Sequence, residues 1–230
     1  MLVHLPKVLS PDRIAAIEAA LAQGSFVDGR QTAENDARNA KRNLQLDSRA
    51  DLRHELSRAI TGTLMRNTVF LHLCLPKRLT EFHFSRYEPG MTYGEHMDNT
   101  VMALGTETPL RADLSMTLFL AAPEDYDGGE LVVTSDTTPR PIKLAAGDAV
   151  VYATTDHHLV RPVTRGVRRV AVCWIQSLVR GTAERQILAE TWHVLDALHR
   201  LQPPEQLNDN PAFKALSKAR LNLLRMWVEA

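Results

Sequence analysis

The chain has 230 residues, enough for one domain and a small appendage, and 44% of them are hydrophobic and 23% charged, which is ordinary for a globular protein. Its 27 Lys and Arg residues balance 27 Asp and Glu residues, so the zero net charge gives no support for binding to nucleic acid or to a membrane surface. The first residues lack the pattern of a signal peptide, and no apolar run approaches the roughly 18 residues of a membrane span. We therefore expect a cytoplasmic protein.

Helices are predicted in the amino-terminal part of the chain. Ser10-Pro11-Asp12 is typical of a helix start, with Ser as N-cap and Pro in the first turn, and Gly24 is a plausible end. Residues 29–47 are polar and irregular, which predicts a surface loop with some helix. A second helix is predicted over residues 50–64.

Short apolar and β-branched runs predict strands from residue 69 onward, separated by turn signals such as Asp127-Gly128-Gly129. The predicted strands cover residues 69–75, 79–87, 112–120, 130–134, 149–153 and 168–176. Cys74 and Cys173 lie in two of these runs, and we expect both to be reduced and buried. Many short strands between turns are typical of a sandwich or jelly roll, and helices preceding them make the predicted class α+β.

Two amphipathic helices are predicted at the carboxyl end, over residues 182–201 and 210–228, with Pro203-Pro204 between them. They could pack on the sheet or form a homo-oligomer interface. The predicted organisation is therefore an amino-terminal helical support region (residues 1–66), a jelly-roll core (67–178) and a helical appendage (179–230).

A metal site is predicted around His96 and Asp98. Residues two apart on an extended chain face the same side, so this pair places an imidazole beside a carboxylate. A third ligand must come from elsewhere, and the adjacent His157 and His158, only one of which can face the site from a strand, lie on a later predicted hairpin. Two histidines and one carboxylate are diagnostic of non-haem Fe(II) oxygenases.

An arginine ten residues after His158 suggests a second component of the site. Arg168 buried near a metal would be explained by a carboxylate ligand, because the planar guanidinium binds carboxylates with two hydrogen bonds. Arg169 is adjacent, and a solvated turn residue is the ordinary interpretation of either. The choice between the two arginines stays open at this point.

The pattern Tyr-x-x-Gly-x-x-Tyr-x-x-His-x-Asp, from Tyr87 through Gly90, Tyr93 and His96 to Asp98, resembles that of prolyl-hydroxylase-like Fe(II)/2-oxoglutarate dioxygenases. Downstream motifs make the chain similar to one bacterial branch, the PKHD-type hydroxylases, which are often associated with iron-uptake genes. These motifs are Asp127-Gly-Gly-Glu-Leu131, Gly147-Asp148, His158, Pro162-Val-Thr-Arg-Gly166, Arg168 and Trp174-Ile-Gln-Ser177. The resemblance extends over nearly the whole chain.

The resemblance implies a double-stranded β-helix (jelly-roll) core with Fe(II) held by His96, Asp98 and His158. It assigns Arg168 to the distal carboxylate of 2-oxoglutarate and Tyr87 to a hydrogen bond with that co-substrate. The implied reaction hydroxylates a small-molecule or peptidyl substrate with release of succinate and CO2. Ascorbate (vitamin C) as reductant and a link to iron homeostasis are further expectations.

Two other functions remain open. Two histidines and an aspartate also suit a zinc hydrolase, although zinc gives no role to Arg168. A non-enzymatic cupin-like metal or small-molecule sensor is the second alternative. Among the residues not assigned to the site, His83 could line the cavity, although we expect it to be packed or solvated. Trp174 is expected to lie in the core, and Tyr93 either lines the pocket or packs.

Overall fold

The computed structural model describes residues 1–32, 35–49, 51–135 and 137–229. The helices are α1 (Pro11–Leu21), α2 (Asn35–Ala40), α3 (Asp51–Leu64), α4 (Thr68–Cys74), α5 (Thr182–Leu201), α6 (Pro204–Asp209) and α7 (Pro211–Trp227). The strands are β1 (Leu2–Leu5), β2 (Phe26–Asp28), β3 (Lys41–Arg42), β4 (Leu44–Leu46), β5 (Pro76–Leu79), β6 (His83–Tyr87), β7 (Thr92–His96), β8 (Val101–Met102), β9 (Leu110–Arg111), β10 (Leu114–Phe119), β11 (Tyr126–Gly128), β12 (Leu131–Ser135), β13 (Thr138–Ile142), β14 (Ala149–Ala153), β15 (His157–Val160), β16 (Val163–Gly166) and β17 (Arg168–Ser177). Within these ranges no helix is long and apolar enough to cross a membrane.

Two antiparallel sheets form the core of the fold. The larger has the order β1-β14-β10-β17-β6-β4-β2, with β5 also paired to β17, and the smaller has the order β13-β12-β15-β7-β3. The pairs β11–β16 and β8–β9 complete the strand pairing in the described ranges. This double-sheet arrangement, with helices at both ends of the chain, confirms the predicted α+β jelly roll.

The larger sheet is buried on both faces because alternate residues of each strand point to opposite sides. On β17, Ala171, Cys173 and Ile175 join a core cluster with the helices, whereas Val170 belongs to a second cluster between the sheets. The helix-side cluster takes Ile17 and Leu21 from α1, Ile60 and Leu64 from α3, Phe70 and Leu73 from α4, and Ala189 and Trp192 from α5. The site described below lies on the opposite face, between the sheets.

The strand predicted over residues 69–75 is wrong, because α4 occupies this segment. The Asn67 side chain accepts a hydrogen bond from the backbone N–H of Phe70 at 2.9 Å, and Leu75 ends the helix at φ +46°. A short apolar run fits a buried helix as well as a strand, so periodicity alone could not separate them. Cys74 is therefore helical and Cys173 lies in a strand, and both are free and buried, as expected.

The amino-terminal region contributes strands as well as the predicted helices. Helix α1 has Ser10 as its N-cap and ends at Leu21, before the predicted end at Gly24. The second predicted helix is found as α3 from Asp51, while its predicted first residue, Ala50, lies outside the described residues. Strands β1 and β4 pair with β14 and β6 in the larger sheet, and β3 pairs with β7 in the smaller. The division at residues 66/67 and 178/179 stays a prediction.

The carboxyl-terminal helices pack on the chain's own helical layer. Helices α5 and α7 match the predicted helices closely, and Pro203 separates α5 from the short α6. The Trp192 ring of α5 stacks on the His72 ring of α4, with the ring centroids 5.7 Å apart. The predicted homo-oligomer interface on α5 and α7 stays a prediction.

Candidate metal centre

His96, Asp98 and His158 form one cluster in the cavity between the sheets. His96 ends β7 and pairs directly with His158 on β15, so the two imidazole centroids lie 4.3 Å apart. Asp98 follows β7, and its Oδ2 lies 3.6 Å from Nε2 of His158. The ligand atoms of the three side chains lie within 4.8 Å of one another, which fits a single metal ion.

Backbone carbonyls orient both imidazoles. Nδ1 of His96 lies 2.7 Å from the carbonyl oxygen of Gly94, and Nδ1 of His158 lies 3.1 Å from that of Asp156. A carbonyl only accepts, so each Nδ1 donates to it and Nε2 is the nitrogen left to face a metal.

The acid and histidine that precede His158 do not join the cluster. His157 is exposed, because neighbouring residues of β15 point to opposite faces. The Asp156 carboxylate accepts a hydrogen bond from the Ser135 hydroxyl at 2.7 Å. Only His158 of this segment therefore faces His96.

A serine that sequence reasoning missed supports the carboxylate. The Ser115 hydroxyl donates to Oδ2 of Asp98 at 2.5 Å, and Ser115 is fully buried on β10. Nothing local in the sequence pointed to this contact, because the two residues lie on elements that only the fold brings together. A partner of this kind holds a ligating carboxylate in one orientation.

Burial disfavours the protonated form of His96. Burial, together with the nearby His158, lowers the pKa of His96 to about 4, and the Gly94 carbonyl and Asp98 oppose part of this shift. His96 is thus neutral at pH 7, which is the form that binds a metal.

Arg168 is a buried cation at the first position of β17, opposite Tyr87 on β6, and only 1% of its surface is exposed. Its Cζ lies 5.0 Å from the Tyr87 ring centroid and 5.8 Å from that of Phe119. Nε and Nη1 are buried and have no hydrogen-bond partner among the residues that the structure describes. Unpaired buried donors on a cation fit a ligand that brings a carboxylate.

Strand alternation separates the two arginines between which the sequence left a choice. Arg169 points to the helical side, where its Nε lies 2.5 Å from Oε2 of Glu18 on α1. Arg168 lines the cavity on the other face. Arg168 is therefore the arginine available to a ligand in this cavity.

Gly129 leaves the space that Arg168 occupies. A Cβ atom at this position would lie 3.1 Å from Cδ of Arg168 and 2.9 Å from Cγ2 of Val163, and the backbone has φ +66°. Both the close approach and the left-handed conformation favour glycine. The Gly128-Gly129 pair that the sequence marked as a turn thus also makes room for the buried guanidinium.

The triad and Arg168 share one cavity of about 790 Å³, measured with its open mouth. Tyr87, which sequence analysis assigned to the site, is buried in its wall beside Arg168. Tyr152, which it did not select, has its ring 5.1 Å from that of His158. Burial raises the pKa of Tyr152 well above its usual value, with Asp98 adding to the shift and Arg168 opposing it. The charges of Asp98 and Arg168 therefore both act on the Tyr152 phenol, which keeps its proton.

Aromatic side chains complete the wall. Tyr93, for which the sequence left two roles open, lines the cavity and stacks on His96 with centroids 3.6 Å apart. Trp174, expected in the core, instead lines the cavity, and so does His83, which was expected to be packed or solvated; their rings meet edge-on with centroids 5.3 Å apart. Trp174 and Arg168 lie an even number of positions apart on β17, so their side chains point to the same face. That alternation could have identified Trp174 as a cavity residue.

Comparison with known proteins agrees with this geometry. A family model described as the 2OG-Fe(II) oxygenase superfamily matches residues 82–176, which run from the start of β6 almost to the end of β17. A PKHD-type hydroxylase of Burkholderia ambifaria is 42% identical over 231 residues, covering 100% of both chains.

Solved structures share the fold at low sequence identity. A Pseudomonas putida prolyl-4-hydroxylase has a TM-score of 0.53 at 21% identity, covering 76% of this chain and 92% of that one. A Trichoplax adhaerens prolyl hydroxylase, in complex with a peptide fragment of hypoxia inducible factor, has a TM-score of 0.56 at 14% identity, covering 76% and 83%. With a full-length relative at 42% identity and the His-Asp-His cluster in a jelly-roll cavity, the chain belongs to the PKHD-type hydroxylases of the 2OG-Fe(II) oxygenase superfamily.

Proposed function

We propose that His96, Asp98 and His158 bind Fe(II), that Arg168 anchors 2-oxoglutarate, and that the enzyme hydroxylates a C–H bond of a small-molecule or peptidyl substrate. The observation that carries this proposal is the buried guanidinium of Arg168, whose Nε and Nη1 lack partners among the described residues, in the same cavity as the triad. A zinc hydrolase or a metal sensor needs the triad alone and leaves that buried cation unexplained.

The donor set fits the metal. Two imidazoles and one carboxylate leave coordination positions open for further ligands, which is the arrangement of non-haem Fe(II) oxygenases. When bound, Fe(II) and 2-oxoglutarate supply the oxidation: O2 is reduced, 2-oxoglutarate becomes succinate and CO2, and one oxygen atom enters the substrate.

The residues of the chain bind, orient and exclude water. Arg168 offers N–H donors to the distal carboxylate of 2-oxoglutarate, and its guanidinium lies against the rings of Tyr87 and Phe119. Burial raises the pKa of Tyr87, so its phenolic proton stays in place and can donate to the same co-substrate, the role proposed for this residue. The two sheets shield these contacts from solvent, which strengthens each of them.

Further proposals concern the setting of the reaction. The prolyl hydroxylase that binds a peptide fragment supports a peptidyl substrate for this chain, and the open cavity mouth is equally compatible with a small molecule. We also propose ascorbate as a reductant, a cytoplasmic location, a link to iron homeostasis and a homo-oligomer interface on the α5 and α7 surface. The last two rest on the family's association with iron-uptake genes and on the amphipathic pattern of the helices.

Anaerobic titration tests the proposal. Adding Fe(II) and then 2-oxoglutarate to metal-free protein should produce the visible charge-transfer band of an iron chelate in the parent. His158→Ala should lose the band, and Arg168→Met should need far more 2-oxoglutarate to form it. Absence of the band in the parent, together with equally tight binding of Zn(II) and no effect of 2-oxoglutarate, would favour the hydrolase.

A further inference from the structure

Lys41 is a second buried cation in the wall of the same cavity. It starts β3 and pairs with Tyr93 on β7, and only 5% of its surface is exposed. Its Nζ donates to Oγ1 of Thr32 at 3.0 Å and lies 5.2 Å from the Tyr93 ring centroid. Among the described side chains, no carboxylate oxygen lies within 4.0 Å of Nζ.

The other cations near the mouth of the cavity are already satisfied. A wider cleft adjoins the cavity, and Arg53 and Arg78 both line it. Arg53 pairs with Glu81 at 3.2 Å, and Arg78 donates to the carbonyl oxygens of Thr108 and Pro109 at 3.1 and 3.2 Å. Lys41 differs from them because it is more deeply buried and makes one hydrogen bond to the described residues, which leaves two N–H groups for another acceptor.

Charge balance in the loaded site leaves Lys41 uncompensated. With both ligands bound, Fe(II) carries two positive charges and Arg168 carries one, while Asp98 carries one negative charge and 2-oxoglutarate carries two. These neutralise one another, so the ammonium of Lys41 remains as a single buried positive charge. Such a charge is costly unless an anion pairs with it. Burial lowers the pKa of Lys41 to about 8, with Asp98 and Asp28 opposing the shift, in keeping with a cation that lacks a close partner.

Thr32 places this cation between the cavity and the cleft, because it lines both. Its hydroxyl lies 2.5 Å from Oε1 of Gln45, and Nε2 of Gln45 donates to the Ser85 hydroxyl at 3.1 Å. This row of polar groups runs from Lys41 on β3 to Ser85 on β6, whereas Arg168 lies on β17. A group entering from the cleft meets Lys41 and the triad in the same cavity.

We propose that Lys41, with Thr32 beside it, recognises a carboxylate on the primary substrate. This inference rests on the proposed function, since the charge balance assumes bound Fe(II) and 2-oxoglutarate. The site is short of one negative charge, which favours a carboxylate monoanion over a phosphate dianion. The substrate class is therefore a carboxylic acid, either free or at a peptide terminus or acidic side chain, hydroxylated at a carbon other than that of the bound group.

Paired acids and amides test the assignment. Acetate, phenylacetate and benzoate, each matched with its carboxamide, are titrated calorimetrically into the anaerobic protein saturated with Fe(II) and 2-oxoglutarate. At least one acid should bind about tenfold or more tightly than its amide, since a hydrogen bond to a charged group contributes about 1.5–3 kcal/mol. Lys41→Met should remove that preference and Lys41→Arg should keep part of it. Lys214→Met, which removes an exposed lysine on α7, should behave like the parent.

The outcomes separate this inference from the proposed function. A parent that forms no Fe(II)–2-oxoglutarate charge-transfer band would refute the proposed function. With the band present in both the parent and Lys41→Met, the inference is overturned if no acid binds, if acids and amides bind alike, or if Lys41→Met keeps the preference. It is also overturned if the acid binds only by competing with 2-oxoglutarate, because that result assigns the anion to Arg168.

Discussion

Replacing Arg168 by Met removes a buried cation and keeps a long apolar side chain in its place. In the free protein, Nε and Nη1 of Arg168 are buried without partners among the described residues. Each unpaired buried donor costs about 1–3 kcal/mol, so the variant should be at least as stable as the parent before ligands are added. An unchanged or increased stability is unusual here, because most substitutions at a residue that is only 1% exposed destabilise the protein.

The cost should appear when 2-oxoglutarate is added. Removing one partner of a buried charge pair costs about 2–5 kcal/mol, which corresponds to a loss of affinity of about 30-fold or more. At a ligand concentration 100 times the Kd, the parent gains about 2.7 kcal/mol of stability. At about 2–4 °C per kcal/mol for a chain of this size, the parent's Tm should rise by about 5–11 °C, whereas a 30-fold weaker affinity limits the rise of Arg168→Met to about 2–4 °C at the same ligand concentration.

Thermal unfolding under anaerobic Fe(II), with and without 2-oxoglutarate, measures both effects. Arg169→Met is the matched control, because it removes the neighbouring arginine, whose partner is Glu18 on the helical side. This variant should lose some stability and keep the full rise in Tm with 2-oxoglutarate. The reasoning is refuted if Arg168→Met keeps the rise, or if Arg169→Met is the variant that loses it.

Three other predictions follow from the site. His158→Ala should abolish tight Fe(II) binding, measured by equilibrium dialysis, whereas His157→Ala should leave it unchanged because that side chain is exposed; equal losses in both variants would contradict the assignment. Ser115→Ala should weaken Fe(II) binding about 10–100-fold in the same assay by freeing the Asp98 carboxylate, and parent-like affinity would rule out that support. Burial, with the charges of Arg53 and Lys41 adding to it, lowers the pKa of His83 from 6.5 to about 3, so below pH 6.5 the unfolded chain takes up a proton that the folded protein excludes. Because of His83, the free energy of unfolding should fall by up to about 1.4 kcal/mol per pH unit as the pH is lowered from 6.5 to 4.5. In denaturant titrations at several pH values, His83→Gln should remove that part of the pH dependence. An identical pH dependence in parent and variant would show that the folded protein does protonate His83.

Local spacing was enough to predict much of the site. His96 and Asp98 are two residues apart, a spacing that favours one face of an extended chain, and the fold brings both to His158 although β7 ends at His96. The cap at Ser10-Pro11 likewise predicted α1, since helix starts depend on neighbouring residues alone. Along β17, the same alternation distinguishes Arg168 from Arg169 once the strand's first residue is known.

Contacts between distant parts of the chain could not be predicted in this way. Ser115 meets Asp98, and Lys41 enters the cavity, only because particular strands pair in a particular register. Lys41 lies in the polar stretch that local reasoning assigned to a surface loop. The strand predicted at residues 69–75 failed for the same reason, because packing on the other helices decided between two structures that the apolar run permits equally.

Succinate formed from 2-oxoglutarate under air, measured with Fe(II) in the parent and in His158→Ala, tests the iron assignment most directly. The parent should produce succinate even without added primary substrate, by slow uncoupled turnover, and the variant should produce none above the metal-free background. Succinate at equal rates in both proteins, or none in a parent that binds Fe(II) and 2-oxoglutarate, would contradict the proposed dioxygenase chemistry at His96, Asp98 and His158.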